Sequence, residues 1–115
     1  MPVEEIEEFV VELPTIGEKF KGKLVGIRKG KVKELIDIDG IRNEELRKRY
    51  ERYADREAIE LKIDTGAGTI SRVIPISYRS NSRFYKIIKK YGKLKVGMDI
   101  ELIIDSNGRV RLVYE

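Results

Sequence analysis

The sequence predicts a mainly-β fold, a five-stranded barrel carrying two helices, with one helix between strands 3 and 4 and an extra helix inserted between strands 1 and 2. Three observations predict it. Apolar and polar residues alternate with a period of two along five stretches, glycine-rich turn signals join the later stretches in pairs, and two other segments carry apolar residues at helical spacing.

The first stretch, Gly17 to Arg28, sets Phe20, Leu24 and Ile27 among Lys19, Lys21, Lys23 and Arg28. Gly22 and Gly26 are where a bulge or a barrel corner belongs, because a residue without a Cβ lets strands approach closely and bend. The reading is one long, strongly bent strand. Lys29-Gly30-Lys31 then breaks it, and residues 29–41 stay open, with Leu35, Ile36 and Ile38 able to form a short strand before Asp39-Gly40. Asn43 is positioned to cap a helix over residues 43–54, with Leu46, Tyr50 and Tyr53 on one stripe and charge around the rest.

Ala58 to Asp64 and Thr69 to Ser77 form a hairpin through Thr65-Gly66-Ala67-Gly68, and Pro75, which cannot donate to a ladder, places the second strand at an edge. Ser80-Asn81-Ser82 offers caps for a helix through Tyr91, with Phe84, Ile87, Ile88 and Tyr91 on its apolar stripe and Gly92 as its stop. Met98 to Ile104 and Val110 to Tyr114 close the chain as a hairpin around Asp105-Ser106-Asn107-Gly108, in which Asn-Gly is a strong hairpin signal.

Composition narrows the function classes. The chain has 115 residues, enough for one domain with a core. It lacks cysteine, histidine and tryptophan, which removes disulfides, thiol nucleophiles, imidazole bases and the common zinc ligand sets. The expectation is a non-enzyme without cofactor or metal. No apolar run approaches the about 18 residues of a membrane span, so no membrane partner is expected and the location expected is the cytoplasm. Charged residues make up 38% of the chain and glutamine is absent, a balance associated with thermophile proteins, archaeal ones among them.

Charge is unevenly spread. Residues 1–18 carry six Glu and no Lys or Arg, so the remainder holds 24 basic against 14 acidic side chains. Residues 1–16 read as an acidic leader or an extra edge strand, able to contact a protein partner or the chain's own basic surface. Residues 17–115 read as one domain.

Taken in order, one long strand, an insertion, a hairpin, a helix and a closing hairpin resemble the oligonucleotide/oligosaccharide-binding (OB) fold, a five-stranded barrel. The resemblance spans residues 17–114 and rests on element order. Ser82-Arg83-Phe84-Tyr85-Lys86 through Gly92, followed by an acidic-apolar strand, is similar to a segment of small OB-type single-stranded-DNA-binding proteins of archaea and viruses. The resemblance implies an OB-like barrel that binds single-stranded nucleic acid, DNA ahead of RNA, with the ligand crossing strands 2 and 3. The charged helix at residues 43–54 departs from the common plan, since it stands where a ligand-facing loop is usual.

Binding a single strand needs cations that follow phosphates and flat rings on which bases stack. Seven basic residues and no acid lie from Lys19 to Lys33, and seven more with no acid lie between Tyr78 and Lys95. The candidate ligand residues are Lys19, Lys21, Lys23, Arg28, Lys62, Arg72, Tyr78, Arg79, Arg83, Tyr85, Lys86 and Lys89. Phe84 and Tyr91 belong to the core stripe. Lys86, Lys89 and Lys90 are equally consistent with a solvated helix face, and Arg109, Arg111 and Tyr114 with a solubilised edge. Arg47, Lys48, Arg49, Arg52 and Arg56 alternate with acids and suggest pairing within their helix.

Two other readings remain open. One is a non-catalytic interaction or scaffold subunit. The other starts from Asp64-Thr65-Gly66, which looks like the active-site turn of homodimeric aspartic proteases, where two aspartates share a proton. The alternative for that tripeptide is a plain hairpin turn.

Overall fold

The computed structural model describes Val3, Glu5, Glu7, Glu8 and residues 16–114. The expectations for residues 1–16 therefore fall largely outside the described residues. Five antiparallel strands, β1 (Lys19–Lys31), β2 (Glu57–Asp64), β3 (Thr69–Pro75), β4 (Asp99–Ile104) and β5 (Val110–Leu112), form one sheet in the order β3-β2-β1-β4-β5, curled into a half-barrel. Two helices, α1 (Val32–Leu35) and α2 (Glu44–Arg52), fall between β1 and β2, and α3 (Arg83–Tyr91) falls between β3 and β4.

The curl originates in β1, which is long enough to serve two partners. Its first half pairs with β4 (Lys19↔Ile103 to Lys23↔Asp99), and its second half pairs with β2 (Lys23↔Asp64 to Lys31↔Glu57), with a register shift between Leu24 and Gly26. Gly22 lies at the crossing. A Cβ there would fall 2.7 Å from the side chains of Ile63 and Leu102 and 2.9 Å from the Asp64 carbonyl oxygen, so the corner closes only around glycine.

Inside the curl, Leu24, Ile59, Leu61, Ile63, Ile74, Ile100, Leu102 and Leu112 form the core, and Ile87 of α3 plugs it. The cap of α3 is Ser82, whose hydroxyl accepts from the Tyr85 N–H at 3.1 Å. Gly92 ends the helix at φ 71°, a conformation that favours glycine. Phe84 and Tyr91 pack on the core as the stripe predicted. The Tyr91 hydroxyl donates to the Val113 carbonyl at 2.8 Å and accepts from the Glu101 N–H at 3.1 Å, tying the end of α3 to the last two strands.

A smaller core, Val32, Ile38 and Ala58 with Leu35, Ile36, Tyr50, Ala54 and Val73, lies on the other face of β2 and β3, where α1 and α2 cover the sheet. Asn43 caps α2 by accepting from the Leu46 N–H, as its position predicted.

Two local expectations are corrected. Lys29-Gly30-Lys31 does not break β1, because Ile59, Ala58 and Glu57 continue the ladder opposite it. Leu35 to Ile38 form no strand: Val32–Leu35 is a helical turn whose Glu34 carboxylate accepts from the Lys31 N–H, giving three helices in place of two. The last hairpin forms across Asp105-Ser106-Asn107-Gly108 as predicted, β4 pairing with β5 up to Ile104↔Val110, and Gly108 supplies a positive φ of 76°. The Asp105 carboxylate accepts from the N–H groups of Asn107 and Arg109.

Candidate nucleic-acid interface

The basic residues separate into two populations, distinguished by what stands opposite them. On β1, Lys19, Lys21 and Lys23 alternate with inward-facing Phe20, Gly22 and Leu24, so all three point outward. Their cross-strand neighbours are acidic. Lys21 pairs in register with Glu101, and Lys23 with Asp99 on one side and Asp64 on the other. Lys19 lies 3.9 Å from Glu101, which Lys90 of α3 also approaches at 3.5 Å. A run without an acid in the sequence is thus a mixed-charge face in the sheet.

Arg28 is committed more firmly. Its Nε and Nη2 donate in parallel to Oε1 and Oε2 of Glu60, both at 2.9 Å. Glu60 is only 5% exposed, and the guanidinium bond holds its carboxyl below the usual carboxylate range, against the upward push of burial. The same bond raises the Arg28 pKa further. Lys33 pairs with Asp55 at 2.7 Å. Lys62 is exposed on the outer face of β2, its stem lying across Gly26.

The second population gathers where the sheet fails to close. Among the described residues β3 and β5 each have one strand neighbour, and the seam between them is bridged by Arg72, whose Nη2 donates to the Val110 carbonyl at 2.7 Å and whose Nη1 donates to the Ser71 carbonyl at 2.8 Å. Register with Leu61 sets Arg72 on the inner face, so it is a half-buried cation held by carbonyls and by no carboxylate. Arg83, at the start of α3, and Arg111, on β5, line the same small depression, together with Tyr114. Among the described residues no carboxylate lines it.

Two further hollows adjoin this seam. Tyr114 also borders a shallow one formed by Ser80, Tyr85, Lys86, Lys89 and Lys90 along α3. Tyr85 is 37% exposed, and Tyr78, in the loop before the helix, is 81% exposed with its ring edge-on to Phe84 at 5.7 Å. Arg79 is exposed beside it. On the other side, Arg72, Val73 and Arg83 are shared with a cleft of about 710 Å³ beneath α2.

That cleft holds the residues sequence reasoning missed. It is lined by Arg49, Tyr50, Tyr53 and Arg56 in addition to Arg72 and Arg83. Pairing within α2 is real for Arg47 with Glu51 and Lys48 with Glu44. Among the described residues, Arg49 and Arg56 form no such ion pair. The signal was present as the stripe Leu46, Tyr50, Tyr53, because Arg49 and Arg56 flank its sheet-facing side. Of the twelve candidates, the structure brings Arg72 and Arg83 together at the seam and Tyr85, Lys86 and Lys89 beside it, with Tyr78 and Arg79 in the adjoining loop. Lys19, Lys21, Lys23, Arg28 and Lys62 lie on other faces of the strands.

Asp64 is exposed and its carboxylate accepts from the Gly66 N–H at 2.9 Å, which makes it the cap of its turn. Among the described residues, no three Asp or Glu side chains gather as a metal site, and no helix is long and apolar enough to cross a membrane. No family model matches the chain, and no curated protein or solved structure matches it.

Proposed function

We propose that this protein is an OB-like barrel that binds single-stranded nucleic acid, with DNA the first ligand to test, and that the strand lies over the β3–β5 seam and along α3. The observation that carries this reading is the convergence of Arg72, Arg83 and Arg111 on one seam that, among the described residues, no carboxylate lines. A guanidinium presents a fork of donors matched to phosphate oxygens, and cations left without acids beside them favour a polyanion. Tyr85 and Tyr114 add ring surface next to the charge, which is the pairing that sequence-tolerant single-strand binding uses. The strand order and the helix between β3 and β4 are compatible with the OB plan.

The test is fluorescence anisotropy with a labelled single-stranded 20-mer of DNA, the RNA equivalent and a DNA duplex. Single strands are expected to bind more tightly than duplex, and affinity is expected to fall at least about tenfold between about 50 and 200 mM salt. Tyr85→Ala is expected to weaken binding by about 1–3 kcal/mol, the contribution of one stacked base, with little change in melting temperature. Binding that ignores salt, or no binding at low salt, would instead favour an interaction or scaffold subunit.

A further inference from the structure

The insertion between β1 and β2 builds a second feature onto this surface. The cleft between α2 and the outer face of β2 and β3 has a volume of about 710 Å³, within the range of about 300–1,000 Å³ usual for small-molecule sites. Its cations are all arginines, Arg49, Arg56, Arg72 and Arg83, and its one carboxylate, Glu60, already receives both hydrogen bonds of Arg28. α2 and the segment that follows it sort their charges accordingly. Arg47 and Lys48 are paired with Glu51 and Glu44 along the helix, whereas Arg49 and Arg56 line the cleft. Tyr53, at the helix end, keeps 45% of its surface exposed, and the Arg56 guanidinium stands 5.9 Å from its ring centroid.

We infer that this cleft is a nucleotide site: its arginines take one phosphate and Tyr53 takes one unpaired base. Guanidinium forks bind phosphate oxygens in pairs, and the exposed ring of Tyr53, with the Arg56 guanidinium 5.9 Å from its centroid, offers a face to a base. The inference rests on the single-strand reading, because Arg72 and Arg83 line both the seam and the cleft and so connect the strand's path to it. A base held in a duplex cannot offer its face to Tyr53, so the cleft takes its nucleotide from a single strand or from solution.

The experiment uses the full chain, a labelled dT 20-mer and, separately, the mononucleotide dTMP. Tyr53→Leu is expected to weaken 20-mer binding at least about fivefold, the lower end of one stacked base, while Tyr53→Phe keeps the ring and the affinity. The double variant Arg49→Gln with Arg56→Gln is expected to lose at least about tenfold, and Arg47→Gln with Lys48→Gln, which removes the same two charges from the paired side of α2, less than about twofold. On the unaltered protein, dTMP is expected to shift amide resonances of residues 44–56, a readout independent of whether any variant folds.

If the cleft variants bind the 20-mer like the parent while Arg83→Gln with Arg111→Gln weakens it, the cleft inference falls and the seam reading stands. Equal loss from Arg47→Gln with Lys48→Gln and from Arg49→Gln with Arg56→Gln also overturns it, since only overall charge would then matter. If dTMP shifts residues 44–56 and no oligonucleotide binds, the nucleotide site holds, its ligand is a free nucleotide, and the seam reading falls. If neither ligand binds, both fall.

Discussion

Glu60 keeps its charge in a buried place because Arg28 supplies two hydrogen bonds to it at 2.9 Å. Its pKa is depressed below the ordinary value of 4.5, chiefly by that bond. A carboxyl that binds its proton more weakly when folded adds stability above its unfolded pKa, and the addition disappears as the pH falls through the depressed folded value. Arg28→Ala is therefore expected to lower the melting temperature at pH 7, and its gap to the parent is expected to narrow as the pH drops below about 4.5. Melting curves at several pH values check this. Gly22 and Gly26 form a second residue-scale pair. Gly22→Ala places a methyl against Ile63, Leu102 and the Asp64 backbone and is expected to cost about 2–3 kcal/mol. Gly26→Ala meets only the Lys62 stem at 3.6 Å and is expected to be neutral or slightly stabilising in denaturant titration.

Among the elements, α2 has the least to hold it. It has nine residues, none of them buried, and helices so short are marginal without tertiary support. Its anchors are the Asn43 cap and the packing of Tyr50 and Ala54 on the smaller core. Asn43→Ala is expected to cost about 1 kcal/mol locally, read as faster amide exchange over residues 44–52 with the β-strand amides unchanged. The caps of α2 and α3 were legible in the sequence because capping is a local affair of three or four residues. The length of β1 was not, since Gly30 continues the strand only because Ala58 lies opposite it. The same distance in sequence hid the fate of Lys21 and Lys23, whose acidic neighbours Glu101, Asp99 and Asp64 come from other strands. The hydrophobic pattern predicts which residues face inward, whereas the meeting of charges across a sheet depends on register.

At the scale of the molecule, the half-barrel leaves β3 and β5 as its outer strands among the described residues, and this chain sets arginines along the gap between them. Beyond residue 18 the chain holds 24 basic and 14 acidic residues, yet Lys19, Lys21, Lys23 and Arg28 of β1 all stand beside acids, so net charge alone is a poor guide to where an anion would bind. Arg72 was legible as a candidate through its place on β3, but Arg111 and Tyr114 read as edge residues until β5 was set beside α3. The most direct measurement is the dependence of oligonucleotide affinity on salt for two double variants of equal charge change, Arg83→Gln with Arg111→Gln and Lys21→Gln with Lys23→Gln. Each phosphate contact on a single strand contributes about 0.7 to the slope of log affinity against log salt. The seam variant is expected to flatten the slope by about 1.4 and the β1 variant to leave it unchanged. Equal slopes for the seam variant and the parent, or flattening by the β1 variant alone, would contradict the account.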